Sequence, residues 1–355
     1  MCRDWFVTCL PGVRARLTNW WEHGEQEHPC LLITLPPPAD ASIPDTDDLV
    51  KWWMDVDWIV DRQMRVLDGQ TYLGQAVPYH YVERSATAMA GVLGAEMELV
   101  NKDTTWATPC FEHVEQVAEL VVDPQNVWYT KALEITRRSV ALAHNHHFVA
   151  SYALGGMTDI LAGLYGTENL LVDMIANPQA VARAMEHVKR IWIELFHEVN
   201  AIIAGGDAGG GNPGGIGWAG VWAPGTTFPL QEDASYMISN EMFRTFCLPH
   251  LLDQMAAMDC PFYHLDGIGA LNHLDTLLEI DELAVIQWVP GAGKERLDQW
   301  YEVIRRILAA GKSVQVYAQA DEVDELVAHV GARGLLITVH ASQPEAERLM
   351  DRYGG

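Results

Sequence analysis

Residues 313–340 read SVQVYAQADEVDELVAHVGARGLLITVH. The stretch opens on a short apolar run rich in β-branched residues and closes on another. Between them lies a helical segment that Asp321 can cap and Gly331 can end. Strand, helix, strand is the signature of a βαβ unit, which lays its two strands side by side in a parallel sheet. Reading outward, the same order recurs. Apolar runs at 260–263 and 284–288 read as strands, and Asp298 can cap a helix through Ala310 that stops at Gly311. Further strands are expected at 31–35 and 147–152. Asn177-Pro178 opens a helix whose Val181, Met185, Val188, Trp192, Leu195 and Val199 fall on one face. The Trp-rich stretches Trp20-Trp21 and Trp52-Trp53 read as helices packed over the bottom or side of the sheet. The Gly- and Pro-rich segment 205–225 is too broken for a helix, and long loops are usually functional, so it is a candidate wall or lid of a site.

A parallel sheet of this length is doubly wound or closed into a barrel. No Gly-x-Gly-x-x-Gly joins an early strand to a helix, which counts against a dinucleotide-binding fold. No linker or repeat divides the chain. The expectation is α/β: a single (β/α)8 TIM barrel domain over residues 1–355, with N-terminal helical additions.

Composition narrows the partners. The 355 residues are 49% hydrophobic, and 23 Lys+Arg stand against 48 Asp+Glu, a formal net charge of −25. Such a field repels nucleic acid and anionic membrane surfaces alike. The six cysteines, Cys2, Cys9, Cys30, Cys110, Cys247 and Cys260, form no Cys-x-x-Cys pair and read as free thiols. The start, Met1-Cys2-Arg3-Asp4-Trp5, lacks the pattern of a signal peptide, and no apolar run approaches the roughly 18 residues of a spanning helix. A cytoplasmic protein acting on a small molecule is expected.

In such barrels the reacting groups stand at the C-terminal strand ends. Those positions carry His264 and Asp266, then Gln287 and Trp288, then Tyr317 and Gln319, then His340. Two imidazoles and a carboxylate converging on one mouth suit a divalent metal: zinc, iron or manganese. The plainer reading of His264-Leu-Asp266-Gly267 is a strand running into a turn. Pro290-Gly291-Ala292-Gly293-Lys294 hints at a phosphate loop, but Glu295 replaces the Ser/Thr that motif requires. His144, His146 and His147 look metal-like, yet His146 and His147 would point to opposite faces of a strand.

Several stretches resemble the uroporphyrinogen decarboxylase superfamily. They are Phe148-Val-Ala-Ser-Tyr-Ala-Leu-Gly-Gly-Met157 through Asp173-Met-Ile-Ala-Asn-Pro178, and Leu230-Gln-Glu-Asp-Ala-Ser235 followed by Ile238-Ser-Asn-Glu-Met-Phe243 and Leu248-Pro-His-Leu251. The last is Tyr263-His-Leu-Asp-Gly267, similar to that family's His-x-Cys-Gly or His-x-Asp-Gly motif. The resemblance spans most of residues 140–345 and implies a (β/α)8 barrel. One branch of the superfamily decarboxylates a polycarboxylate tetrapyrrole without metal, using an N-terminal Arg-rich motif. The other moves methyl groups among substrates, corrinoid proteins and thiols with zinc on a His-x-Cys pair and a distant Cys.

Residues 29–38 contain no arginine, which with the acidity disfavours the tetrapyrrole branch. By resemblance the zinc ligands fall on His264, Asp266 and His340. Replacing both cysteines gives a His₂Asp site, harder and more Lewis-acidic than a thiolate site and better suited to oxygen ligands.

The first functional expectation is a metal-dependent methyltransferase. It would move a methyl group from a small O- or N-methyl substrate to a corrinoid protein or similar acceptor. Asp233, Asp266 and Tyr317 are its candidate catalytic residues. Gln231, Gln287, Gln319, Trp222 and Trp288 would bind substrate, and a homodimer is possible for this class. The second is a metal-free decarboxylase or lyase on a small carboxylic acid, with Asp233 or Asp266 as general acid/base. The third is a non-catalytic binding barrel.

Overall fold

The computed structural model describes residues 5, 6, 8–82, 84–205, 213–294 and 296–354. The chain is mixed α/β, its helices flanking a central, mostly parallel sheet. The strands are β1 (Cys30–Leu35), β2 (Thr71–Gly74), β3 (Tyr79–Tyr81), β4 (Glu96–Leu99), β5 (Thr105–Thr108), β6 (Phe148–Ala150) and β7 (Gly215–Ile216). They continue with β8 (Trp222–Ala223), β9 (Pro229–Leu230), β10 (Phe262–Asp266), β11 (Val285–Val289), β12 (Ser313–Gln319) and β13 (Leu335–His340). A seven-stranded sheet runs β2-β1-β13-β12-β11-β10-β9. All its pairings are parallel except that of β2 with β1. β3 and β6 form a separate parallel pair. Among the described residues the hydrogen-bonded ladder does not close: in place of the closed barrel expected from sequence stand an open ladder and a separate pair.

The strand–helix–strand order of 313–340 is as expected, but Asp321 does not cap the helix: Glu322 holds the N-cap position without a side-chain cap bond, and Asp321 pairs with Arg296. β12 leads into the helix Val323–Val330, which ends at Gly331 with φ +84, and β13 follows. Only glycine adopts that left-handed conformation without steric cost, which is why the helix stops there. The helix after Asn177 is the long Pro178–Ala204, and all six residues of its expected apolar face are buried.

Strand alternation divides the interior. The outward residues Leu265, Ile286, Trp288, Val316 and Ile337 pack into the large core shared with the helices. The opposite face carries Cys30, Leu32, Phe148, Ala150, Phe262, Val285 and Leu336, which form a second core. β6 contributes to this inner core together with the main ladder. Trp20 and Trp21, at the end of the helix Leu10–Trp21, close it from the N-terminal strand ends. Trp20 Nε1 donates to Gly334 O (2.9 Å), just before β13, and Ser313 Oγ at the start of β12 donates to Trp20 O (2.6 Å). A β4–β5 hairpin lies between β3 and β6 in the chain. Among the described residues no helix is long and apolar enough to cross a membrane.

One expectation needs correction, and the reading of residues 290–294 as something other than a phosphate loop holds. The strand expected at 147–152 is only Phe148–Ala150. His146 and His147 precede it in a turn, so the alternation that would separate them does not apply. Their rings meet edge to face, Nδ1 to Nδ1 at 2.9 Å. The phosphate-loop hint resolves into a turn with Gly291 and Gly293 at positive φ and no helix following it directly; Glu295 lies outside the described residues.

Candidate active site

The site is built where β9 gives way to a short 3-10 helix, Asp233–Met237, opposite the N-terminus of the helix Met157–Tyr165. Each of these elements begins with unsatisfied backbone N–H groups, and each receives a carboxylate from the other. Glu232 accepts from Met157 N (3.0 Å), Thr158 N (2.8 Å) and the Thr158 hydroxyl. Asp159 accepts from Asp233 N (3.0 Å) and Ala234 N (2.7 Å). This cross-capping needs the two backbones to touch. A Cβ on Gly156 would stand 2.1 Å from the Gln231 carbonyl oxygen, so glycine is required there.

Asp159 and Glu232 are thus held by backbone donors, and Asp233 is left facing β10. Its only described partner is Gln231, whose Nε2 donates to Oδ2 at 2.7 Å. Ligand atoms of Asp233, His264 and Asp266 lie within 4.8 Å of one another. His264 Nδ1 bonds to Gln287 Oε1. Because an amide oxygen accepts, Nδ1 carries the proton and Nε2 keeps its lone pair free. The tautomer is fixed by a row of amides across the sheet. Gln287 Nε2 donates to Gln315 Oε1 (2.9 Å) and to the Tyr317 hydroxyl (3.3 Å), and Gln315 Nε2 donates to Thr338 Oγ1 (2.9 Å). This row follows the strand register, in which His264 pairs with Gln287 and Gln287 with Gln315.

The electrostatics lack a counter-charge. Among the described residues none of Asp159, Glu232, Asp233 and Asp266 forms an ion pair with Lys or Arg. Burial, reinforced by Asp159, Asp266 and Glu232, pushes the Asp233 carboxyl up to about 8. Burial also lowers the His264 pKa, against the opposing pull of Gln287 and Asp266, so the imidazole is neutral. Asp266 Oδ1 is buried without a hydrogen-bond partner. An orphaned oxygen, a free imidazole nitrogen and unpaired carboxylates are what a divalent cation satisfies together. The donor set, one nitrogen and two carboxylates, suits zinc, manganese or iron.

The triad lies beside a cavity of about 750 Å³. Asp159, Gln231, Asp233 and Asp266 line it, with Met89, Ile160 and small residues forming apolar walls. Four lining side chains, Trp106, Tyr236, Met237 and Ile268, are exposed large hydrophobics and form its rim.

The residues singled out from sequence divide. His264 and Asp266 come together, and Asp233 joins them. His340 does not: it is exposed at the end of β13, its ring 6.3 Å from that of Tyr317. Two strands separate β13 from β10, so along the ladder they are three spacings of about 4.8 Å apart. The turn after β9, by contrast, adjoins β10 directly. Gln231 lines the cavity, Gln287 supports His264, and Tyr317 supports Gln287. Gln319 is exposed at the end of β12, where its N–H donates to Glu322 (2.9 Å).

Trp288 follows Gln287 and therefore points outward, its ring packed edge to face with Trp300 at 5.4 Å. Trp222 lies at the opposite end of the strands: its carbonyl accepts from Trp21 Nε1 at 2.8 Å. Within the segment 205–225, residues 206–212 lie outside the described residues. The remainder forms the β7–β8 hairpin, whose Trp218 packs edge to face with His264 at 4.8 Å. The residues missed from sequence are Asp159 and Glu232. Their signal was there: Gly155-Gly156 followed two residues later by Thr158-Asp159, and an acidic pair directly after a short apolar strand.

No family model and no curated protein matches the chain. Among solved structures it is similar to a methyltransferase from Methanosarcina mazei, with a TM-score of 0.59 and 12% sequence identity, over 96% of this chain and 98% of that one. At that identity the likeness is one of fold.

Proposed function

We propose that this chain is a metal-dependent methyltransferase-like enzyme on a (β/α)8 barrel, with the ion on Asp233, His264 and Asp266. The carrying observation is the convergence of those three donors, unpaired with any Lys or Arg among the described residues, beside a cavity of about 750 Å³ at the C-terminal strand ends. The barrel reading is supported by strand count. The seven-stranded ladder without its antiparallel β2, together with the β3–β6 pair, supplies eight parallel strands. It is supported too by the full-length fold likeness and by the sequence resemblance to uroporphyrinogen decarboxylase-like proteins.

When bound, the ion supplies Lewis acidity at the substrate heteroatom that carries the methyl group. The protein's residues do the rest. Gln287 presents His264 in one tautomer, Gln231 orients Asp233, and the apolar walls exclude water from the transferring methyl. The carbon–heteroatom bond breaks with its electron pair left on the heteroatom, and the methyl carbon bonds to the electron pair of an acceptor such as a reduced corrinoid protein.

A second reading, a metal-free lyase, is favoured by one observation: Asp233 holds its proton near neutral pH and could act as a general acid. Against it, no Lys, Arg or His stands among the described lining residues to hold a carboxylate substrate.

Chelation separates the two. Methyl transfer from small aryl methyl ethers or methylamines to cob(I)alamin is expected to fall to background after dialysis against a chelator. It should return with stoichiometric zinc or manganese. Full activity in metal-free protein would overturn the proposal.

A further inference from the structure

The cavity's charge and walls say what kind of molecule enters it. Its described lining includes three carboxylates, Asp159, Asp233 and Asp266, and no Lys, Arg or His. A fourth carboxylate, Glu232, is buried behind them. No Lys or Arg among the described residues pairs with any of the four, so the interior of the cavity favours positive over negative charge. An anionic ligand would be repelled at close range in a partly buried site, where screening is weak. The walls are apolar and built of small residues, Ala86, Ala90, Ala107 and Gly163 among them, leaving room for a ligand body of substantial size.

The rim adds an independent observation. Trp106 is 62% exposed and Tyr236 58%, although aromatic side chains of this size are seldom left so open. Trp106 rides on β5 of the hairpin, and Tyr236 on the 3-10 helix that follows Asp233. Neither has a role in the core. Aromatic faces at the mouth of an acidic, apolar cavity are what binds an alkylated ammonium group, which is attracted to the ring quadrupole and sheds water at low cost.

We infer that the substrate is an organic cation, an alkylated amine with an apolar body, whose charged group sits against the aromatic rim while its body lies along the apolar wall toward the triad. This rests on the proposal that the triad and its cavity are the active site, and it fixes the charge class of what binds there.

The test compares three meta-substituted phenols: (3-hydroxyphenyl)trimethylammonium, its uncharged isostere 3-tert-butylphenol, and the anion 3-hydroxybenzoate. Each is titrated calorimetrically into chelator-treated and into zinc-saturated protein, with bound zinc counted in both. The cation is expected to bind about tenfold more tightly than the isostere, and the anion not measurably. Trp106→Ala should remove most of the difference between cation and isostere. Equal affinity for the isostere, measurable binding of the anion, or no binding of the cation at millimolar concentration would each overturn the inference. The two proposals fail separately. A cation preference without retained zinc upholds the charge class and counts against the ion. Retained zinc without a cation preference does the reverse.

Discussion

Asp266→Ala is expected to purify without its divalent metal and without methyl-transfer activity. Asp266 contributes an oxygen that is buried and unpartnered, so its removal would delete a ligand of the proposed site and leave Asp233 and His264 too few to hold an ion. His264→Ala and Asp233→Ala should behave alike. Gln287→Ala touches no ligand atom of the ion; it frees the His264 ring to rotate and to change tautomer. The loss of such a supporting partner weakens metal binding by roughly 10–100-fold, and the three ligand deletions should exceed that. His340→Ala discriminates most sharply. The ligand pattern implied by family resemblance makes it as damaging as His264→Ala, whereas the geometry makes it silent for metal binding. Titration of zinc into each metal-free variant reads all five. Loss of binding in His340→Ala, with binding retained in Asp233→Ala, would show that the ion sits elsewhere.

The second large effect concerns acid stability. His80 and His147 are buried on opposite sides of Ser139, whose Oγ lies 2.8 Å from His80 Nδ1 and 3.0 Å from His147 Nε2. His147 also meets His146, and His146 Nε2 lies 3.1 Å from Asp68. Burial lowers His80 to about 4; burial, with His80 and His146 nearby, lowers His147 to about 3. An unfolded histidine titrates near 6.5. Between 6.5 and 4 the unfolded chain therefore binds protons that the folded chain refuses. The stabilisation is fully present above pH 6.5 and is lost as pH falls through the folded values.

For His80 alone the loss is on the order of 3 kcal/mol. The carboxylates of the site titrate in the opposite sense over part of this range, but they do so in wild type and variant alike. The difference between wild type and His80→Gln isolates the histidine. That difference, measured by denaturant unfolding, should move steadily in the variant's favour from pH 6.5 to 4. A pH-independent difference would mean that His80 is not held neutral by burial.

Much of the fold was legible because it rests on local rules. The strand–helix–strand of 313–340 carries its own stop signal, Gly331 after the helix, and the long helix from Pro178 shows its buried face in its spacing. The strand at 147–152 was read too long because apolar character continues past Ala150, through Tyr152 and Leu154, while backbone pairing stops. Closure of the barrel was beyond sequence, since it depends on which short strands pair at the edges.

Within the site, strand-end position singled out His264 and Asp266, and standing two residues apart on one strand they share a face. Which third residue meets them was not legible, because that depends on which neighbouring turn stands closest. Asp233 prevails over His340 because β9 adjoins β10 and β13 does not. Trp288 illustrates the same parity rule from the other side: one residue past Gln287, it belongs to the outer core. Asp159 and Glu232 were hidden because their role is reciprocal, each capping the element that carries the other.

In the proposed site Asp233, His264 and Asp266 together hold one divalent cation. Elemental analysis of the protein, purified without chelator from cells grown in metal-supplemented medium, tests it most directly. One zinc, manganese or iron per chain is expected in the wild type and in His340→Ala, and none in Asp266→Ala. Wild-type protein that is fully active and carries no divalent metal would contradict it.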